Sequence, residues 1–272
     1  PSSSQSRGVL INIGTGTDNF KVENLDILVS SGAFRNNFTT GVICSQVGNF
    51  SNITIRNNVI KNEVKTLTEI GVDGINFWRV TNTADVDPIN NIIIEDNEIE
   101  LYGVSIYGVQ INRECSNISI IRNKIDLKSW VNGDGNEPYN AIAIYGDSKY
   151  FLISENTILG SGHSAIASSQ SENGVIRDNY VFNVIRGEEA GIEIEYKGGH
   201  GTVTFQPNGV KVLNNYVENC SYGIWVTERA EDATTLAPYN ILIDGNTVKD
   251  SLDCDILIAS SVSNIGETTS VI

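Results

Sequence analysis

The stretch Ile118-Ser119-Ile120-Ile121-Arg122-Asn123-Lys124-Ile125 carries the phrase that decides the fold: apolar, any, apolar, two residues, Asn, any, apolar. The same phrase runs through Ile53-Thr54-Ile55 with Asn58 and Ile60, and through Ile92-Ile93-Ile94 with Asn97 and Ile99. It returns at Phe151-Leu152-Ile153 with Asn156 and Ile158, and at Ile176 with Asn179 and Val181. Val210-Lys211-Val212 leads to Asn215 and Val217, and Ile241-Leu242-Ile243 to Asn246 and Val248. A variant one residue shorter opens the series at Phe20-Lys21-Val22, with Asn24, Leu25 and Ile27. Period-two alternation in runs this short reads as strand, not helix. The Asn is placed at a tight bend between two short strands, where Asn tolerates left-handed dihedrals and bonds its own backbone. Stacked from turn to turn, such side chains are expected to hydrogen-bond along the axis, Asn123 between Asn97 and Asn156.

A second phrase falls between the Asn bends: Gly or Ala, apolar, any, then usually apolar. It reads Gly41-Val42-Ile43-Cys44, Gly74-Ile75-Asn76-Phe77, Gly108-Val109-Gln110-Ile111 and Ala141-Ile142-Ala143-Ile144. Ala165-Ile166-Ala167-Ser168, Gly191-Ile192-Glu193-Ile194 and Gly223-Ile224-Trp225-Val226 follow, and Asp255-Ile256-Leu257-Ile258 closes the series. Each turn therefore holds three strands, and about eight turns form an all-β solenoid. The Asn marks lie 23 residues apart at the least (Asn156 to Asn179) and 39 at the most (Asn58 to Asn97). A fixed coil with insertions at particular corners explains that spread, and insertions on one side usually build a binding face.

Composition bounds the rest. The 272 residues show no internal linker or low-complexity tract and read as one domain, with residues 1–18 as lead-in and 260–272 as tail. No apolar run approaches the ~20 residues needed to span a bilayer, and no signal peptide opens the chain. Without Met and without a helix to plug the first turn, it is expected to be a piece of a longer chain or to meet partner subunits. The net charge of −15 repels nucleic acid phosphates and anionic lipid, so neither is an expected partner. Cys44, Cys115, Cys220 and Cys254 are single and widely spaced, so they read as free thiols rather than a zinc set.

With both phrases in place, the chain resembles the right-handed parallel β-helix superfamily of pectate lyases, polygalacturonases and phage tailspike depolymerases. The resemblance covers about residues 20–260 and is closest in style to the tailspikes. It implies a substrate face on the Gly-apolar-any-apolar strands, an extracellular or virion-surface setting and a homotrimer.

If the apolar positions of those strands point inward, the outward pairs follow from the alternation. They are Ile43/Ser45, Asn76/Trp78, Gln110/Asn112, Ala143/Tyr145, Ala167/Ser169, Glu193/Glu195, Trp225/Thr227 and Leu257/Ala259. Aromatic faces stack on sugar rings, while amides and carboxylates bond hydroxyls. Asn76, Trp78, Gln110, Asn112, Tyr145 and Trp225, with Arg113 and Lys197 just past the strands, are thus the expected polysaccharide contacts. A bland packed sheet face would favour aromatics as well.

Hydrolysing a glycosidic bond needs two carboxyl groups, ~5 Å apart for retention and ~6.5–9.5 Å for inversion. Glu193 and Glu195 face one side of a single strand, their Cα atoms ~6.5–7 Å apart. They are the expected catalytic pair, with Asp147 in reserve. Asp73-Gly74 resembles the Asp-Gly element of polygalacturonases, but Tyr107-Gly108-Val109 stands where those enzymes carry an adjacent Asp pair. Asp73 therefore reads as a strand-entry turn residue, and His163 and His200 as loop residues. A lyase would use a base such as Lys197, Arg113 or Arg229. Asn132, Asp134 and Asn136 alternate oxygen ligands, but Glu137 stands where a calcium loop wants Gly, so no metal and no cofactor is expected. Polysaccharide depolymerisation, hydrolytic before eliminative, is the first expectation; a glycan-binding shaft or receptor-binding module that does not cut is the alternative.

Overall fold

A computed structural model describes residues 9–13, 18–30, 39–46, 51–63, 72–78, 89–103, 106–112, 114–128, 138–184, 189–196, 206–228, 238–258 and 263–268. Three parallel sheets of nine, nine and eight strands wind into a right-handed β-helix. The first, here the groove sheet, stacks Val9–Ile13, Thr39–Gln46, Val72–Trp78, Val109–Asn112, Ile142–Tyr145, Ile166–Ser169, Ala190–Tyr196, Tyr222–Glu228 and Cys254–Ile258. The second runs from Lys21–Glu23 to Ser263–Thr268, and the third from Asp26–Ser30 to Thr247–Lys249.

The alternation fills the interior with columns of like residues. Ile75, Val109, Ile142, Ile166, Ile192 and Ile224 stack inside the groove sheet, each 0% exposed. Ile55, Ile94, Ile120, Ile153, Ile176, Val212 and Ile243 do the same in the second sheet. Each such side chain contributes ~1.5–3 kcal/mol by leaving water. Where Phe151 replaces Ile, the next turn makes room: a Cβ on Gly174 would lie 1.8 Å from the Phe151 ring. The Gly that opens several groove strands has a like cause, since a Cβ on Gly108 would stand 2.5 Å from the Ala141 carbonyl.

The seven Asn form one unbroken internal ladder. Nδ2 of Asn58, Asn97, Asn123, Asn156, Asn179 and Asn215 each donates to Oδ1 of the next Asn, ending at Asn246, at 2.9–3.0 Å. The backbone N–H of each donates to the same oxygen. The second Nδ2 proton reaches a carbonyl of the preceding turn, as from Asn156 to Ile120 at 2.9 Å. The left-handed residue of the bend is not the ladder Asn but the one before it: Asn57, Asp96, Arg122, Glu155, Asp178, Asn214 and Gly245, φ between 52° and 64°. The ladder Asn must aim its N–H at the next turn, so its neighbour takes the sharp dihedral. At the shorter first repeat Asn24 takes that neighbour position, at φ 61°, and the Leu25 N–H closes the ladder on Asn58 Oδ1.

Candidate active site

The predicted outward pairs lie in register along the groove sheet. One column runs Asn76, Gln110, Ala143, Ala167, Glu193, Trp225; the other runs Trp78, Asn112, Tyr145, Ser169, Glu195, Thr227. Their expected solvent exposure is corrected. Asn76, Gln110, Glu193 and Glu195 are only 3–5% exposed, while Asn112, Tyr145 and Trp225 are half-buried. Period two fixes direction, whereas burial depends on what lies across that face.

At the entry to the same strands a polar set fills the corner. Asp73 accepts from Asn76 Nδ2 at 2.7 Å and from the Tyr107 N–H at 2.9 Å. Burial pushes its carboxyl up to about 6, with those two bonds opposing. Asn76 Nδ2 also donates to Gln110 Oε1 at 3.0 Å, tying two turns together. The Tyr107 ring lies 5.1 Å from Tyr139 and edge-on to Tyr145 at 6.2 Å, and Tyr139 stands edge-on to His163 at 4.9 Å. Tyr145 Oη donates to Asn140 Oδ1 at 2.8 Å, and Asn140 Nδ2 donates to the Ser164 carbonyl at 2.6 Å. Burial raises the Tyr107 and Tyr145 phenols far above the usual range. Carboxylates add to this, Asp73 and Glu195 acting on Tyr107, Glu195 and Glu193 on Tyr145. Both phenols therefore stay protonated.

The corner reaches the carboxyl pair through Ser164. Its Oγ lies 2.6 Å from Glu193 Oε2 and 3.1 Å from Glu189 Oε2, and it accepts the Ala190 N–H at 3.1 Å. The other Glu189 oxygen is 3.2 Å from His163 Nδ1. Glu195 follows Glu193 by two residues on the same face, with Ser169 and Thr227 beside it in register.

Residues 66–248 match the family described as the right handed beta helix region. The chain belongs to that family. Among solved right-handed β-helices, the Dettilon tailspike protein is similar over 84% of this chain at 15% identity and a TM-score of 0.43. This β-helix chain spans only 48% of that tailspike's length. The A-module of the Azotobacter vinelandii mannuronan C-5 epimerase AlgE6 is similar at 10% identity and a TM-score of 0.36, over 92% of both chains. The periplasmic alginate epimerase AlgG is similar at 13% identity and a TM-score of 0.30, over 91% of this chain and 77% of its own. No curated protein sequence matches this β-helix chain.

Of the expected site residues, the structure brings Asn76, Gln110, Tyr145, Glu193 and Glu195 into one stretch of the β-helix face, with Trp225 beside Glu193. Asp147 lies in the turn after Ile142–Tyr145, at φ 51°, its N–H bonded to the Gln170 carbonyl. Trp78 is described only as backbone of its strand; Arg113, Arg229, Lys197, His200 and the Asn132–Glu137 segment lie outside the described residues. Among the described residues no group of three or more His, Cys, Asp or Glu is placed to hold a metal ion. Cys115, Cys220 and Cys254 are free thiols. His163 lies in the loop between Thr157–Gly160 and Ile166–Ser169 and there meets Tyr139 and Glu189; Tyr107, Tyr139, Asn140, Ser164 and Glu189 join the network unforeseen. One signal was available: the residue before the Gly or Ala reads Asp73, Tyr107, Asn140, Ser164 on four successive turns, polar or aromatic each time.

Proposed function

We propose that this β-helix binds a polysaccharide along the groove sheet and cuts it by glycoside hydrolysis, with Glu193 and Glu195 as the carboxyl pair. The observation that carries the reading is the placement of two carboxyls on one side of one strand, within a face of amides, tyrosines and Trp225. Two residues of strand separate the Cα atoms by ~6.5–7 Å, which suits an inverting pair. A glycan meets Asn112, Tyr145 and Trp225 first, because those are the half-buried members of the face. Glu193 and Glu195 are 3% and 4% exposed, so the reading includes an opening step before chemistry. Such glycans lie outside the cell, which sets the protein at an extracellular or virion surface; a homotrimer is part of the proposal.

A reducing-end assay over bacterial capsule and lipopolysaccharide glycans tests it. Glu193→Gln and Glu195→Gln are each expected to cut turnover at least ~10²-fold, the lower range for general acid–base catalysis, while binding survives. An ultraviolet-absorbing unsaturated product would replace hydrolysis by elimination. The burial of the pair favours a second reading, a glycan-binding module without catalysis; binding with no cleavage of any glycan would establish it.

A further inference from the structure

We propose that Glu189, Ser164 and Glu193 hold one proton between two carboxyls, and that His163 reloads it from solvent. A serine hydroxyl brings one proton and two lone pairs. At Ser164 Oγ the Ala190 N–H takes one lone pair, at 3.1 Å. The single hydroxyl proton serves one carboxyl oxygen, and the 2.6 Å contact to Glu193 Oε2 has the length of a hydroxyl donating to an ionised carboxylate. The remaining contact, 3.1 Å to Glu189 Oε2, then falls on a lone pair. Two oxygens facing each other without a proton repel, and both are buried. A proton on Glu189, donated to Ser164 Oγ, completes the set. The second Glu189 oxygen meets His163 Nδ1 at 3.2 Å, and the His163 side chain is 26% exposed against 7% for Glu189.

The chain therefore runs from water to the middle of the groove sheet. When Ser164 passes its proton to Glu193 Oε2, Glu189 passes its own to Ser164 Oγ. Glu189 is refilled from the His163 Nδ1–H, and His163 takes a proton from water. Only O–H and N–H bonds form and break, and the net change is one proton moved from solvent to Glu193. Among the described residues, the titratable groups facing the relay include Tyr139 against His163, Tyr145 and Glu195 beside Glu193, Tyr107 behind Tyr145, and Tyr222, whose N–H bonds the Glu189 carbonyl. Tyr107 and Tyr145 are held protonated, so they add no charge to the relay. If the hydrolytic reading holds, the relay makes Glu193 the acid and leaves Glu195 as the base.

Infrared spectroscopy of the whole chain tests the shared proton without any activity. The spectrum is taken well above the value of about 6 to which Asp73 is pushed, so that Asp73 is ionised. The expected result is a protonated-carboxyl band that disappears in Glu189→Gln and in Glu193→Gln, shifts in Ser164→Ala and persists in Glu195→Gln. No such band in the wild type, or one that survives Glu189→Gln, overturns the proposal. Should a Gln variant not fold, the wild-type spectrum and Ser164→Ala decide it. For the reloading step, His163→Asn is expected to slow the exchange of that band in heavy water by roughly 10²-fold; an unchanged rate removes His163 from the relay. If the wild type also cuts a glycan, His163→Asn should shift one limb of the pH profile of kcat and leave KM unmoved. A wild type that cuts nothing while showing the band refutes the hydrolytic reading and keeps the relay.

Discussion

Two corners of this β-helix bury polar side chains to nearly the same degree and use them in opposite ways. Between the second and third sheets, seven Asn repeat one arrangement from turn to turn, six Asn-to-Asn bonds running in one direction from Asn58 to Asn246. At the entry to the groove sheet, successive turns carry Asp73, Tyr107, Asn140 and Ser164, and their partners include Glu189 and Glu193. The first corner is uniform and neutral, which is what a structural role requires, because every turn faces the same hydrogen-bonding demand. The second does not repeat, and it gathers titratable groups whose ionised forms burial disfavours. Departure from the repeat, in a fold built on repetition, singles out the corner on which the proposed function rests.

Breaking the uniform corner should have the largest effect. Asn156→Ala deprives Asn123 of the oxygen its N–H and Nδ2 both use, and removes the donor that meets the Ile120 carbonyl. Three buried polar groups lose a partner at ~1–3 kcal/mol each, so a loss of at least roughly 3 kcal/mol is expected in denaturant unfolding. A loss under about 1 kcal/mol would mean that the ladder is not what holds the turns together.

The second corner should differ in kind, through pH. Asp73 is raised from 3.8 to about 6, so its ionised form is disfavoured in the folded state. Its contribution is fully present below the unfolded value and is lost as pH rises through the folded one, amounting to about 3 kcal/mol across that window. Other carboxylates pull the opposite way: Asp96 and Glu100 are held low by Arg122 and Lys128 respectively. The observable is therefore the difference between wild type and Asp73→Asn, which should grow in favour of the variant from about pH 4 to pH 6 and then level off. A difference flat with pH would show that Asp73 is ionised throughout.

The same contrast explains what could be read from the amino-acid sequence. Repetition made the ladder and its order legible, and the alternation placed Asn76 beside Gln110 and Glu193 beside Trp225 in the right register. It assigned the left-handed dihedral to the ladder Asn, one residue late, because the phrase marks the bend without saying which residue aims its N–H along the axis. Burial of Glu193 and Glu195 was not legible, since the period of a strand gives a direction and not what covers it. Glu189 and Ser164 were hidden for another reason: each occurs once at its corner, and only the coil brings residues 25 apart to the same hydroxyl contact.

A smaller change probes the groove face itself. Trp225→Ala should weaken glycan binding by roughly 1–3 kcal/mol, the scale of one buried aromatic side chain, with the ladder and stability little altered. Titration calorimetry with a bound glycan checks it, and unchanged affinity would remove Trp225 from the site.

The smallest effect belongs to the bend beside the ladder. Six of its eight left-handed positions carry Asn, Asp or Gly, while Arg122 and Glu155 do not. Arg122 has a separate reason to be there, since its guanidinium bonds Asp96 and pairs with Glu95. Glu155 is exposed at φ 57°, and among the described residues no side-chain bond offsets its dihedral. A left-handed dihedral costs an ordinary residue ~1–2 kcal/mol, and Asn recovers part of that through local bonds of its short amide. Glu155→Asn should therefore stabilise the chain by about 0.5–1 kcal/mol in denaturant unfolding, and Asp178→Glu, the opposite kind of change at the same bend one turn on, should cost a similar amount. If neither moves the midpoint, the bend is imposed by the ladder alone, and the Asn and Asp that crowd it are there for some other reason than their tolerance of the left-handed region.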